Sequence, residues 1–191
     1  MLIEEKPLEA RRHKFTYEDV MVMAEHGLLD HVRTELRKGE LIEMAPQNPP
    51  HSINMQELDE ILKGVFAGRA KVFCQGSLRL SPDMRSIDLP MPDLMIVKKK
   101  RYRSHPLPED VYFIVEISDA TLADDLGDKL RDYANAGIPK YWVYDVEAKV
   151  FKVHLEPANG DYNRRVTYRF DEAFAPSAFP EDKHVWLPDP L

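Results

Sequence analysis

Two carboxylates stand where apolar strands would exclude them. Asp93 follows Pro92 and opens the run Leu94-Met95-Ile96-Val97, and Glu116 interrupts the apolar stretch from Val111 to Ile117 near its end. A buried carboxylate with no partner is costly, so one is normally found with hydrogen-bond donors, a cation or a metal. Each acid alone has a simpler reading: Asp93 as a strand-start cap, Glu116 as a strand end reaching solvent. Two of them on neighbouring strands weigh against both.

A lysine points to the same place. On a helical wheel at about 100° per residue, Leu122, Leu126, Leu130 and Tyr133 span an arc from about 0° to 80°, which Ala123 and Ala134 widen to about 120°. Ala136 extends the arc on its other side to about 320°, so Lys129, at about 340°, falls inside it, and Asp125 lies beside it at about 300°. The polar face is elsewhere, with Arg131 at about 180° and Asp128 at about 240°. One reading is an i, i+4 surface pair between Asp125 and Lys129, worth a few tenths of a kcal/mol. The other, which the wheel favours, is a lysine turned toward the sheet beside two acids, the signature of a site rather than of packing.

The elements that must position these groups follow from pattern. Thr16 caps a first helix with Asp19 at the capping-box position, and Gly27 stops it. Arg33–Arg37 and Glu40–Met44 flank Lys38-Gly39 as a hairpin. Pro46, Pro49 and Pro50 break the chain, and a helix over 52–66 follows, with Ile53, Leu58, Ile61, Leu62 and Val65 on one face. Strands are predicted at Lys71–Leu80, Met91–Val97 and Val111–Ile117, the last continuous enough to be covered on both faces. A helix over Leu122–Ala136 ends at Gly137-Ile138-Pro139 and leads to a strand at Tyr141–Tyr144, so Val111 to Tyr144 reads as a strand–helix–strand crossover. A hairpin, Val150–Leu155 and Val166–Phe170 about Asn159-Gly160, closes the fold. The expected fold is α/β (or α+β): one domain over 14–191 with a mixed central sheet flanked by helices, a loose lead-in over 1–13, and an irregular tail from about Ala175 docked by Val185-Trp186-Leu187.

Composition sets limits. The 191 residues carry one cysteine, Cys74, which excludes a disulfide framework or a cysteine-based zinc site within the chain and suggests a reducing cytoplasm. Cys74 lies in a strand-like stretch and is expected in the core. The charged opening MLIEEKPLEARRHKF has no apolar centre, so it does not read as a secretory leader, and no apolar run reaches the roughly 20 residues that span a membrane. The net charge of −7 argues against non-specific coating of nucleic acid but not against a carboxylate metal site.

Pro92-Asp93, Glu116 ending an apolar strand, and a lysine together resemble the PD-(D/E)xK nuclease superfamily. The closer resemblance is to the Uma-type family of restriction-endonuclease-like proteins, found in bacteria. It is carried by VEISDATLADDLGDKLRDYANAGIPKYWVYD, by PDLMIV and by TELRKGELIEMAPQNPPH, and covers about Phe15 to Phe170. The superfamily's usual lysine position, two residues after the acid, is Ser118 here, and Lys129 matches the family's relocated lysine. The resemblance implies an endonuclease that hydrolyses DNA phosphodiesters with metal-activated water. It implies Mg²⁺ or Mn²⁺ on Asp93, Glu116 and the Ile117 carbonyl, with Lys129 orienting the water. An acid from the hairpin would complete the site, Glu35 in preference to Glu43. His51 is a candidate substrate or metal contact, with a helix cap or surface residue as the plainer reading. Lys98, Lys99, Lys100 and Arg101, with Tyr102, are candidate DNA contacts, with a solvated loop as the alternative. A homodimer is expected by analogy, with the closing hairpin as one edge where pairing could occur.

Two other functions compete: a catalytically inactive nuclease fold serving as a binding or assembly module, and a small-molecule hydrolase or metal-binding regulator. There is no Gly-x-Ser-x-Gly elbow and no P-loop, so a serine hydrolase and a P-loop nucleotidase do not fit.

Overall fold

Thr16 opens the first helix as its position predicts. Its hydroxyl accepts from the Asp19 amide at 3.3 Å, and Asp19 accepts from the Thr16 amide at 2.8 Å. In the computed structural model, residues 12–169 and Ala178 are described. The lead-in expected over residues 1–13 falls almost wholly outside them. So do Phe170 and, apart from Ala178, the tail expected from Ala175 with its Val185-Trp186-Leu187 dock.

The elements in chain order are α1 (Tyr17–Glu25), β1 (Thr34–Arg37), β2 (Glu40–Glu43), α2 (Pro49–Val65), β3 (Ala70–Cys74), β4 (Leu94–Lys98), β5 (Val111–Ser118), α3 (Leu122–Asp125), α4 (Asp128–Asn135), β6 (Lys140–Asp145), β7 (Val150–Ala158) and β8 (Asp161–Arg169). β1 and β2 form a hairpin, and β3 to β8 form one six-stranded sheet in chain order. Only β5 and β6 run parallel, joined by the crossover through α3 and α4, while the other neighbours are antiparallel. This is the mixed sheet flanked by helices that the pattern predicts.

Each face of the sheet is covered by helix. On one, Met55, Leu58, Leu62 and Phe66 pack on Leu94, Phe113, Val115 and Trp142, with the Phe113 and Trp142 rings stacked at 4.4 Å. On the other, Leu130, Tyr133 and Ala134 pack on Met95, Ile114, Tyr141 and Val143. β5 feeds both layers, which is why nearly every residue of it is apolar. At the last hairpin, Asn159 and Gly160 both have positive φ, 51° and 74°, as a two-residue primed turn requires.

Four expectations need correction. The second helix begins at Pro49, not 52. Asn48 caps it by accepting from the His51 amide at 3.0 Å, and prolines in a first turn remove only amides that have no helical partner. β3 stops at Cys74, six residues before the predicted end, where Gln75 turns to φ 51°. Cys74 is exposed rather than in the core. It is the last residue of an edge strand, and its thiol contacts the Met55 sulfur at 3.8 Å.

The fourth concerns the crossover helix, which is broken in two at Leu126-Gly127. Gly127 adopts φ −109°, ψ −102°, and a Cβ there would lie 2.6 Å from the Ala123 carbonyl oxygen. The chain can pass so close to α3 only without a side chain. Gly127→Ala should therefore destabilise the protein by about 1–3 kcal/mol, the usual cost of overpacking. Thermal unfolding should show this as a fall of roughly 2–4 °C per kcal/mol, and an unchanged midpoint would mean the break does not need glycine.

Candidate active site

Glu116 lies near the end of β5, followed by the buried Ile117 and Ser118, and turns toward α4. It is 2% exposed. One carboxylate oxygen accepts from the Tyr133 hydroxyl at 3.0 Å and faces the Lys129 ammonium at 3.4 Å, while the other accepts from the Asp93 amide at 3.2 Å. Asp93 lies just ahead of β4. Its carboxylate accepts from the Ile117 amide at 2.9 Å and contacts His51 Nε2 at 3.0 Å. Strand pairing enforces this: Leu94 is opposite Val115, so the residue before β4 meets the end of β5.

Lys129 is 9% exposed. Both sequence readings of it meet here, because its ammonium is 2.9 Å from Asp125 as well as facing Glu116. The Asp125–Lys129 pair exists, but it is buried in the site rather than lying on the surface. Asp125 is held from the other side by the hydroxyls of Ser118 and Thr121, the latter at 2.6 Å. Its backbone carbonyl, beside the helix break, accepts from the Tyr141 hydroxyl at 3.0 Å. The break at Gly127 thus lets α3 present Asp125 and α4 present Lys129 to one point.

Burial pushes the Glu116 carboxyl well above the usual range, and the charges of Asp93 and Asp125 push the same way, with Lys129 opposing them. Burial alone would lower the Lys129 ammonium, but Glu116 and Asp125 outweigh it and the net shift is upward. Burial and Glu116 together raise the Tyr133 hydroxyl, so it stays a proton donor. Two buried carboxylates, Glu116 and Asp125, thus share one ammonium, with Asp93 beside Glu116.

These groups line a cleft of about 230 Å³ together with Arg33, Gln47, Asn48 and Asp119. Among the described residues no three His, Cys, Asp or Glu side chains converge on one point as metal ligands. The cleft offers a cation the carboxylates of Asp93 and Glu116, with Ile117 also on its lining. This set fits a small hard cation that keeps part of its water shell and uses one or two carboxylates.

The remaining expected residues divide. Glu35 is buried, accepts from the Met91 amide at 3.3 Å and lies 3.7 Å from Arg37. Its charge acts on Lys129 and Tyr133, though it does not line the cleft. Arg37 ties this hairpin to α3 through a bidentate contact with Asp124, at 2.7 and 2.9 Å. Glu43 is exposed. His51 is in the first turn of α2, aimed at Asp93, and its Nδ1 is buried without a hydrogen-bond partner among the described residues.

Lys98, Lys99, Lys100 and Arg101 are not brought to the cleft. β4 carries the chain away from Asp93, and at about 3.3 Å per residue Lys98 lies about 16 Å along it. Tyr133 and the Ser118–Thr121 clasp on Asp125 are the site residues that sequence reasoning missed. Tyr133 is four residues after Lys129 on the same face, a signal that was present but reads as core.

The Uma2 family model, described as "Putative restriction endonuclease", matches residues 20–185. No curated protein matches the chain. Among solved structures, a "putative nuclease belonging to DUF820" from Anabaena variabilis ATCC 29413 superposes with a TM-score of 0.64 at 14% identity, covering 91% of this chain and 95% of that one. At that identity the likeness is one of fold.

Proposed function

We propose that this chain, which belongs to the Uma2 family of restriction-endonuclease-like proteins, is a metal-dependent endonuclease that hydrolyses DNA phosphodiester bonds in the cleft of Asp93, Glu116 and Lys129. The observation that carries the reading is the buried Glu116 carboxylate, held by Lys129, Tyr133 and the Asp93 amide at one end of the central strand pair.

Asp93 and Glu116 are the residues that would hold Mg²⁺ or Mn²⁺. A divalent cation bound there supplies Lewis acidity, polarising the scissile phosphate and acidifying a bound water. The chain's own groups do the rest. Lys129, anchored by Asp125, places a fixed positive charge where negative charge builds on the phosphate, in a site largely closed to water. Tyr133 and the Asp93 amide fix the Glu116 carboxylate, and His51 with the Ile117 amide fixes that of Asp93. Glu35 supplies further negative charge from behind Lys129. The DNA would lie over the cleft mouth, and a homodimer would let two such clefts cut both strands.

The test is incubation of supercoiled plasmid with the protein. Nicked and linear products should form with Mg²⁺ or Mn²⁺ and vanish with EDTA. Intact plasmid under every condition would favour the inactive-module reading.

Metal binding should also be proton-coupled. Because the Glu116 carboxyl is raised, its ionised form is disfavoured in the metal-free fold, and a cation must displace the proton. Mn²⁺ affinity should rise with pH through and above the ordinary carboxylate range, with protons released in calorimetry. Affinity independent of pH would separate Glu116 from the cation.

A further inference from the structure

The chain just after the basic run, from Tyr102 to Pro106, lines a different cavity. Between α1, the segment after β3 and the loop over 102–106 lies a space of about 460 Å³, inside the range of ligand pockets, about 300–1,000 Å³. Four rings wall it: Tyr17, Phe73, Tyr102 and His105. They are fixed in two edge-to-face pairs, Phe73 with Tyr102 at 5.6 Å and Tyr17 with His105 at 5.9 Å. The second pair is joined by a hydrogen bond at 3.3 Å between the Tyr17 hydroxyl and His105 Nδ1. The Tyr102 hydroxyl donates to the Lys98 carbonyl at 2.8 Å, which anchors the ring to the end of β4.

Cations crowd the same rim. Lys71 and Lys100 lie 5.6 and 5.1 Å from the Tyr102 ring centre. Lys100 is paired with Asp110. Lys71 and Arg103 are exposed, and no ion pair of theirs is found among the described residues. In a chain of net charge −7 this is a local reversal of sign. Partly exposed rings beside unpaired cations form the combination that grips single-stranded nucleic acid, rings against bases and cations against phosphates.

We propose that this cavity takes an unpaired nucleobase, stacked on Tyr102 and Phe73, with the adjoining phosphates on Lys71 and Arg103. A base inside a duplex presents no free face, so the ligand is a single-stranded or frayed segment. The proposal rests on the nuclease reading only for the choice of nucleic acid as ligand.

The experiment is fluorescence anisotropy in EDTA with full-length protein and labelled oligothymidylate of about a dozen nucleotides, an abasic strand of equal length, and the matching duplex. Oligothymidylate should bind at least about fivefold more tightly than the abasic strand, the lower end of what one stacked base contributes, and more tightly than the duplex. Tyr102→Ala should erase the difference. Tyr102→Phe keeps the ring, loses only the bond to the Lys98 carbonyl, and should retain it. Equal binding of the base-bearing and abasic strands, tighter binding of the duplex, no binding at all, or equal loss in both Tyr102 variants would each overturn the proposal. With metal absent and no cleavage needed, failure here leaves the plasmid result standing, and an inert cleft leaves the stacking difference standing.

Discussion

In EDTA, Glu116→Gln protein should unfold at a higher temperature than wild type, and it should gain nothing from added Mn²⁺. The sign follows from the raised carboxyl. A group whose folded pKa lies above its unfolded value stabilises the fold only below the ordinary carboxylate range, and that contribution is lost as pH rises through the folded value. At neutral pH the metal-free wild type therefore bears an uncompensated cost at Glu116. Glutamine removes the charge, keeps one oxygen to accept from the Asp93 amide, and can turn its NH2 to donate to the Tyr133 hydroxyl oxygen. Lys129 keeps Asp125 at 2.9 Å. Wild type should recover when the cation replaces the proton, by about 2.7 kcal/mol at a hundredfold excess over its dissociation constant. A Glu116→Gln protein that is less stable in EDTA, or that Mn²⁺ stabilises as much as wild type, would remove Glu116 from the cation site.

Lys129→Met should do the opposite to stability. Deleting the ammonium that Glu116 and Asp125 share leaves buried carboxylates unopposed, a loss of about 3–5 kcal/mol for a broken buried pair. The Lys129 shift is upward, so its contribution is fully present below the ordinary lysine pKa and fades only as pH rises through the raised folded value. The defect should therefore be constant from neutral to mildly alkaline pH. A fall of about 10²–10³ in cleavage is expected from losing one preorganised charge at the phosphate, with Mn²⁺ binding kept, since carboxylates and not the ammonium hold the ion. Urea unfolding and Mn²⁺ calorimetry separate the two effects. Unchanged stability and cleavage would leave Lys129 a bystander.

What could be read from the sequence were polar residues in places that apolar packing forbids. Asp93 and Glu116 stand at the ends of strands buried on both faces, and Lys129 stands at the margin of an apolar arc, so each violates a strong local rule. The order of elements and the parallel crossover were legible for the same reason, because β5 and the Gly137-Ile138-Pro139 stop leave few alternatives. The break at Gly127 was not legible. Periodicity continues across it, and only the approach of the backbone to the Ala123 carbonyl makes glycine necessary. Pro49 and Pro50 read as breakers because proline forbids a helix interior, yet a helix start accepts it. The basic run follows Asp93 closely in sequence, which suggests a place beside the site. A five-residue strand between them carries it to the other end of the sheet. His51 could not be separated from an ordinary cap until α2 was laid across the sheet and its ring met Asp93.

The most direct measurement is single-turnover plasmid cleavage by wild-type, Glu116→Gln and Lys129→Met proteins purified side by side, each shown to be folded, in Mn²⁺ and in EDTA. The expected result is cleavage by wild type in Mn²⁺ only, a loss of at least about 10³-fold in Glu116→Gln, equivalent to about 4 kcal/mol of barrier, and the smaller loss given above in Lys129→Met. Equal cleavage by wild type and Glu116→Gln would contradict the assignment of catalysis to this cleft.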